Sequence, residues 1–379
     1  MYSVDLNKDK LYFTGDMIVG NINMNTKDIF KLVLCIIVIL SILGVGSYTK
    51  YVRELPPPPV ETVALYPYHG KIYHIFFHSL IVYPELAFKN NSQAQGYRDY
   101  MVTKDEFNII LSKLYENNFI LIHPNLIYEV KADGTVASTT LQLPYGKKPL
   151  ILSLDDINYY DSQYHNGLAD RLVFDVNGEV ATEITTPENK TIVTRDGDII
   201  PILDDFVKLH PDFSLNGTKG TIAETGFEGV LGYRTNNINS ATYASDVIQV
   251  KKLVEKLKST GWIFASHSYS HKFPFRDASI SLEAVKLDTD RWEKEVKPLV
   301  GETDIFIGPF GQVFKLNDPR REYILSKGFK ILFGVGMDLY LKYEKDHVVM
   351  NRANIDGIRL IQTPYLLEEY FDPKDVMWE

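Results

Sequence analysis

Two short strings, each closing a run of apolar residues, limit what this chain can fold into. Ser153-Leu154-Asp155-Asp156 follows Pro149-Leu150-Ile151-Leu152, and Ser266-His267-Ser268-Tyr269-Ser270-His271 follows Trp262-Ile263-Phe264-Ala265. Apolar runs this short read as strands covered on both faces. A fold that holds both must bury each strand twice over and bring their ends to one place. Parallel strands joined by helical crossovers do this.

The rest of the chain supplies the crossovers. Residues 103–117 carry a capping box, Thr103 with Glu106, ahead of Phe107, Ile110, Leu111 and Leu114 at helical spacing. Further helices are expected over 199–209, 246–259, 281–296 and 318–327. Strands are expected over 71–78, 119–123, 150–154, 219–223, 261–266, 304–307 and 329–333, with a last one over 358–362. Residues 170–198 read as a β-hairpin insertion with turns at Asn177-Gly178 and Asp196-Gly197. With seven or so parallel strands, closure into a (β/α) barrel is favoured over an open sheet. Both strings then lie at C-terminal strand ends, where barrels of this kind place their chemistry.

One stretch does not belong to such a domain. Residues 32–45 are apolar apart from Ser41, and Ile29-Phe30 before them and Ser47-Tyr48 after them extend the reach to that of a membrane span. A cleaved signal peptide is the rival reading. It fits less well, because the run begins some thirty residues in and no Ala-x-Ala-like site follows it. A buried core helix is the plainer alternative, yet no polar face interrupts the run. The expectation is a cytoplasmic tail over 1–28, one transmembrane anchor over 29–48, a Pro-rich spacer over 49–69 containing Pro56-Pro57-Pro58-Pro59, and a catalytic domain over 70–379. Lys8, Lys10, Lys27 and Lys31 precede the span, and Lys50 and Arg53 follow it, a small bias that puts the tail inside and the domain outside the cell.

Charge and cysteine usage narrow the chemistry. The net charge is −9 with no Lys/Arg-rich block, which argues against an extended nucleic-acid surface. The single cysteine, Cys35, lies in the apolar run, so the domain has no thiol for a disulfide or a metal. Any metal must be held by His and carboxylate. The 24 Tyr and 20 Phe suit either an aromatic core or stacking on sugar rings.

The two strings together offer two carboxylates and two imidazoles. One carboxylate and both imidazoles make a three-ligand site with an open position, the pattern of a hydrolytic metal, and the other carboxylate is then free to act as a base. Read singly, Asp155-Asp156 is also compatible with a helix cap and a solvated neighbour. His267 and His271 are likewise compatible with a polar loop bonded to its own serines.

A third string at a strand end, Phe306-Ile307-Gly308-Pro309-Phe310-Gly311, completes a resemblance. In order over roughly residues 70–364, the chain resembles the polysaccharide deacetylases of carbohydrate esterase family 4. Their motifs are Thr/Ser-Phe-Asp-Asp, His-Ser/Thr-x-x-His, Arg-x-Pro-Tyr/Phe and a late Ile-x-Leu-x-His. The resemblance implies a distorted (β/α) barrel with about seven parallel strands. It implies Asp155 as catalytic base, and Asp156, His267 and His271 as ligands of a divalent metal, with Zn²⁺ indicated by the His₂Asp set. The Phe310 N–H would share the oxyanion, and the substrate would be an N-acetylated cell-envelope polysaccharide.

Three positions depart from the pattern. Ile157 stands where Gly usually follows the second Asp, and Ile307 where an Arg steadies the base. Gln362 stands at the late His, and glutamine donates no proton at neutral pH. His78, ending the run Phe76-Phe77-His78, is the candidate replacement for the acid, and Arg234 or Arg352 for the missing Arg. Two other readings stay open: a carbohydrate-binding domain that has lost its acid, and a membrane-anchored scaffold.

Overall fold

The computed structural model describes residues 3–7, 10–14, 64–89 and 92–376. The expected anchor over 29–48 lies outside them, as does most of the spacer. Among the described residues no helix is long and apolar enough to cross a membrane. The chain divides into two units, Met1–Val63 and Ala64–Glu379. In the first, Ser3–Asn7 and Lys10–Thr14 pair as an antiparallel hairpin where an irregular tail is expected. The alternation of Val4 and Leu6 with Asp5 is strand-like, but over too few residues to stand out in the sequence.

The second unit is built on seven parallel strands: β1 (Tyr73–Phe77), β2 (Lys148–Asp155), β3 (Thr221–Glu224), β4 (Ile263–Ser266), β5 (Ile305–Ile307), β6 (Ile331–Val335) and β7 (Val348–Asn354). Each pairs with the next, and β7 returns to β1 through Ala353 opposite Ile75 and Asn354 opposite Phe76, so the sheet closes. The closure is uneven. β4 and β5 share one register pair, Ser266 with Phe306. Phe119–Leu121 lies parallel against the start of β2, and Leu341–Tyr343 runs antiparallel against the first part of β7.

Alternation along the strands explains their composition. Ile151, Ala223, Ala265, Ile305, Ile307, Ile331, Phe333, Val348 and Met350 form one buried cluster inside the barrel. Leu150, Leu152, Leu154, Ile222, Phe264, Phe306 and Leu332 belong to a second, between barrel and helices. Thus each strand is apolar on both faces, as a parallel sheet covered by helices demands. The capped helix Lys104–Glu116 has its Thr103/Glu106 box in place and buries Phe107, Ile110, Leu111 and Leu114.

Two expectations need correction. The closing strand is Val348–Asn354, and residues 358–362 belong to a helix, Gly357–Gln362, whose N-cap Asp356 accepts from the Arg359 N–H at 2.8 Å. The strand escapes sequence reading because Asn351, Arg352 and Asn354 break its apolar run. The insertion has three strands, Ala169–Phe174, Val180–Thr185 and Thr191–Thr194. Its second turn falls around Asn189, while Asp196-Gly197 leads into the helix capped by Asp198.

Candidate active site

The barrel's interior is apolar below and polar above. β1 places His74 and Phe76 inward, β2 places Ser153 and Asp155, and β7 places Arg352. Arg352 is fully buried and forks onto Asp155, Nη1 to Oδ1 at 2.7 Å and Nη2 to Oδ2 at 2.9 Å. Its Nη1 also donates to Ser153 Oγ at 3.0 Å, and its guanidinium lies 4.1 Å from the Phe76 ring centre. Ser153 Oγ is 3.0 Å from His74 Nε2. Burial alone would raise the Asp155 carboxyl. The Arg352 charge, with His267 and His78 behind it, overcomes that and holds the carboxyl well below the usual carboxylate range. Of the two arginines offered for this role, Arg352 fills it. Arg234 instead binds Asp161 at 2.6 Å and the carbonyls of Glu228 and Tyr159.

Asp156 leaves the strand with φ 60°, a left-handed conformation that aspartate tolerates. This turn lets two consecutive carboxylates face one cavity. Tyr160 donates to Asp156 Oδ1 at 2.6 Å, leaving Oδ2 toward His271 Nε2 at 4.0 Å. Burial opposes ionisation of Asp156, but the imidazoles of His271, His267 and His78, and then the Tyr160 hydroxyl, lower its pKa below the ordinary value.

His267 is buried at the end of β4 and its Nδ1 lies 2.8 Å from the Ile307 carbonyl. A carbonyl only accepts, so Nδ1 carries the proton and the Nε2 lone pair faces the carboxylates, 3.7 Å from Asp155 Oδ2. His271 reaches the same space through a loop with left-handed Ser268 (φ 60°) and His271 itself (φ 45°). Asp288 pins that loop, accepting from the Tyr269 N–H at 2.7 Å, the Ser270 N–H at 3.0 Å and the Ser270 hydroxyl.

Donor atoms of Asp156, His267 and His271 all lie within 4.8 Å of one another. One carboxylate oxygen and two imidazole nitrogens suit Zn²⁺ and its first-row neighbours. The Ile307 carbonyl on one ligand and the Tyr160 hydroxyl on another are the supports such ligands need. These residues fit a divalent cation.

The cavity above them measures about 540 Å³ and is also lined by His78, Tyr160 and Phe310. His78 is half-buried beyond β1, close enough to both aspartates for its charge to lower their pKa values. Phe310, left-handed at φ 55° between Gly308 and Gly311, sets its ring 4.3 Å from that of His271. Gln362 does not line this cavity.

Three residues here were not anticipated. Tyr160 and Asp288 act on the candidate ligands as described. Glu224, at the end of β3, is fully buried, and burial, with the Asp156 charge adding to it, raises its pKa well above the ordinary value. Asp288 has a sequence signal, since it falls on the buried face with Val285, Thr289 and Trp292. Glu224 has one too, ending an apolar strand as Asp155 does.

No protein-family model and no curated protein matches the chain. Among solved structures it is similar to a de-N-acetylase from Aggregatibacter actinomycetemcomitans, at TM-score 0.47 and 14% identity over 80% of this chain and 100% of that one. It is similar to a family 4 carbohydrate esterase from Streptomyces lividans, in complex with acetate, at TM-score 0.25 and 15% identity over 47% and 79%. It is also similar to a 4-alpha-glucanotransferase from Thermococcus litoralis, at TM-score 0.28 and 9% identity over 47% and 27%. Likeness at this level does not bear on the reaction.

Proposed function

We propose that residues 70–379 form a metal-dependent hydrolase that removes acetyl groups from the amino sugars, or the hydroxyls, of a glycan. The observation that carries this is the convergence of Asp156, His267 and His271 with the ionised Asp155 in one cavity. A carboxylate held as low as Asp155 is a weak base and can deprotonate only an already acidified water. A divalent cation on the three donors supplies that acidity, together with Lewis-acid polarisation of a carbonyl.

The chain's own residues do the rest. Arg352 orients Asp155, which takes the water proton as the water oxygen bonds to the acetyl carbon. The Phe310 N–H donates to the oxygen that gains charge. His78 gives a proton to the amine nitrogen as the C–N bond breaks, releasing acetate. Phe76, Tyr160 and Phe310 bring aromatic surface to the cavity, which suits the apolar face of a sugar ring.

Acetate release from an N-acetylated chito-oligosaccharide tests this reading. Wild type with Zn²⁺ should release acetate, a chelator should stop it, and His78→Ala should lower the rate about a hundredfold, within the range of general acid–base catalysis. No acetate under any divalent metal would defeat it. One observation favours a second reading: β7 ends in Arg352-Ala353-Asn354, with no His to serve as the family's late acid. A domain that binds the glycan without cutting it would then bind the oligosaccharide and release nothing.

The same proposal places the domain outside the cell on an anchor at 29–48, acting on a cell-envelope polymer. The apolar run and the Lys bias before it support this. Protease added to intact cells should cut beyond Pro59 and spare residues before Asp28. The reverse pattern would exclude envelope polymers as substrates.

A further inference from the structure

The helix Ala94–Tyr100 lies between β1 and the capped helix, and five residues in and beside it line the cavity: Gln93, Gly96, Tyr97, Tyr100 and Met101. Their spacing is that of a single helical face. That face lines the same cavity as Asp155, Asp156, Phe310, Gly311 and Val335.

Two contacts hold the wall in place. The Tyr97 hydroxyl donates to the Ser162 carbonyl at 2.6 Å, tying the helix to the loop that follows β2. On the other side the helix packs on Gly357–Gln362 so closely that a Cβ at Gly357 would overlap the Arg98 carbonyl oxygen. The wall is thus fastened to a loop through Tyr97 and to a helix through Gly357.

Gly96 sits in the middle of this wall, and nothing in the protein requires glycine there. Its backbone is not left-handed, and a Cβ built on it meets nothing within 4 Å. Inside a helix, glycine is destabilising relative to alanine. A glycine kept for packing would have a neighbour within reach of that Cβ. Here the space it opens belongs to the cavity.

We infer that Gly96, with Tyr100 and Met101, forms the subsite for the pyranose ring that carries the acetyl group, and that Gly96 sets the room the cavity has beside this helix. The inference rests on the glycan-deacetylase reading. It assigns specificity to a segment that carries none of the catalytic or ligand residues.

The full-length chain is compared as wild type, Gly96→Ala and Gly96→Leu. Urea midpoint, Zn²⁺ content and calorimetric affinity for tri-N-acetylchitotriose are measured, with acetate release followed separately. Both variants should keep their metal and unfold at a urea concentration equal to or above that of wild type, since alanine and leucine are better helix formers. Affinity should fall in the order wild type, Gly96→Ala, Gly96→Leu, with about tenfold or more lost in the last. A purely structural glycine would move the midpoint and leave the affinity alone. Unchanged affinity in Gly96→Leu, or no binding of the trisaccharide to wild type, overturns the inference. If wild type binds the sugar but releases no acetate, the deacetylase reading falls, while the affinity series still decides whether Gly96 borders the ring.

Discussion

Replacing Arg352 with Met should destabilise the protein by about 3–5 kcal/mol in urea unfolding at neutral pH, the cost of leaving a buried charge without its partner. Asp155 is almost completely buried, and both its oxygens are engaged by this one guanidinium. Arg352→Lys should rescue little, because an ammonium cannot span the two oxygens while also reaching Ser153. The double variant Arg352→Met with Asp155→Leu should regain much of the loss, since no charge then remains to be buried. A cost below about 1 kcal/mol for Arg352→Met, the level of a surface pair, would mean that water reaches Asp155 in solution.

Removing either histidine should empty the metal site, but the two variants should differ in stability. His271→Ala should lose stoichiometric Zn²⁺ after dialysis, together with acetate release, while its urea midpoint changes little, because His271 is partly exposed on a loop. His267→Ala should lose the metal and also about 1–3 kcal/mol, since the Ile307 carbonyl is left buried without its donor. Metal analysis of the dialysed proteins decides the first point and denaturation the second. A His271→Ala protein that still carries one Zn²⁺ per chain would remove His271 from the ligand set.

The parts that declare themselves in sequence are those whose cause is local. The Thr103/Glu106 box, the strand-ending Asp and His strings, and the apolar runs of β1 to β6 depend on neighbours a few positions away. What the sequence conceals has either a partner far along the chain or a local cap or backbone turn that the apolar pattern does not disclose. Arg352 is polar inside a strand because Asp155 waits across the lumen, and that pairing made β7 look like a loop. Ile358-Arg359-Leu360 alternates like a strand, yet Asp356 caps it into a helix. Gln362 thus ends a helix, whereas the late histidine of the motif ends a strand. Tyr160 lies only four residues beyond Asp156, but its hydroxyl meets that carboxylate because Asp156 turns left-handed, which no spacing rule announces.

The Arg352–Asp155 pair also bears on how the molecule is made. Asp155 and Arg352 are 197 positions apart, and β7 is both the strand that closes the barrel and the one that delivers the guanidinium. A ribosome releases the aspartates and then the histidines well before the arginine. Until β7 emerges, β1 has an open edge on that side, and the carboxylate destined for the lumen has nothing to neutralise it. Barrel closure and the Arg352–Asp155 pair are therefore completed by one late event, and assembly waits on a contact of long sequence separation, which loop-closure entropy makes slow. A nascent chain stopped before Val348 would hold every candidate metal ligand and still be an unfinished, aggregation-exposed sheet. Synthesis thus leaves the buried carboxylate without its partner until β7 has been made.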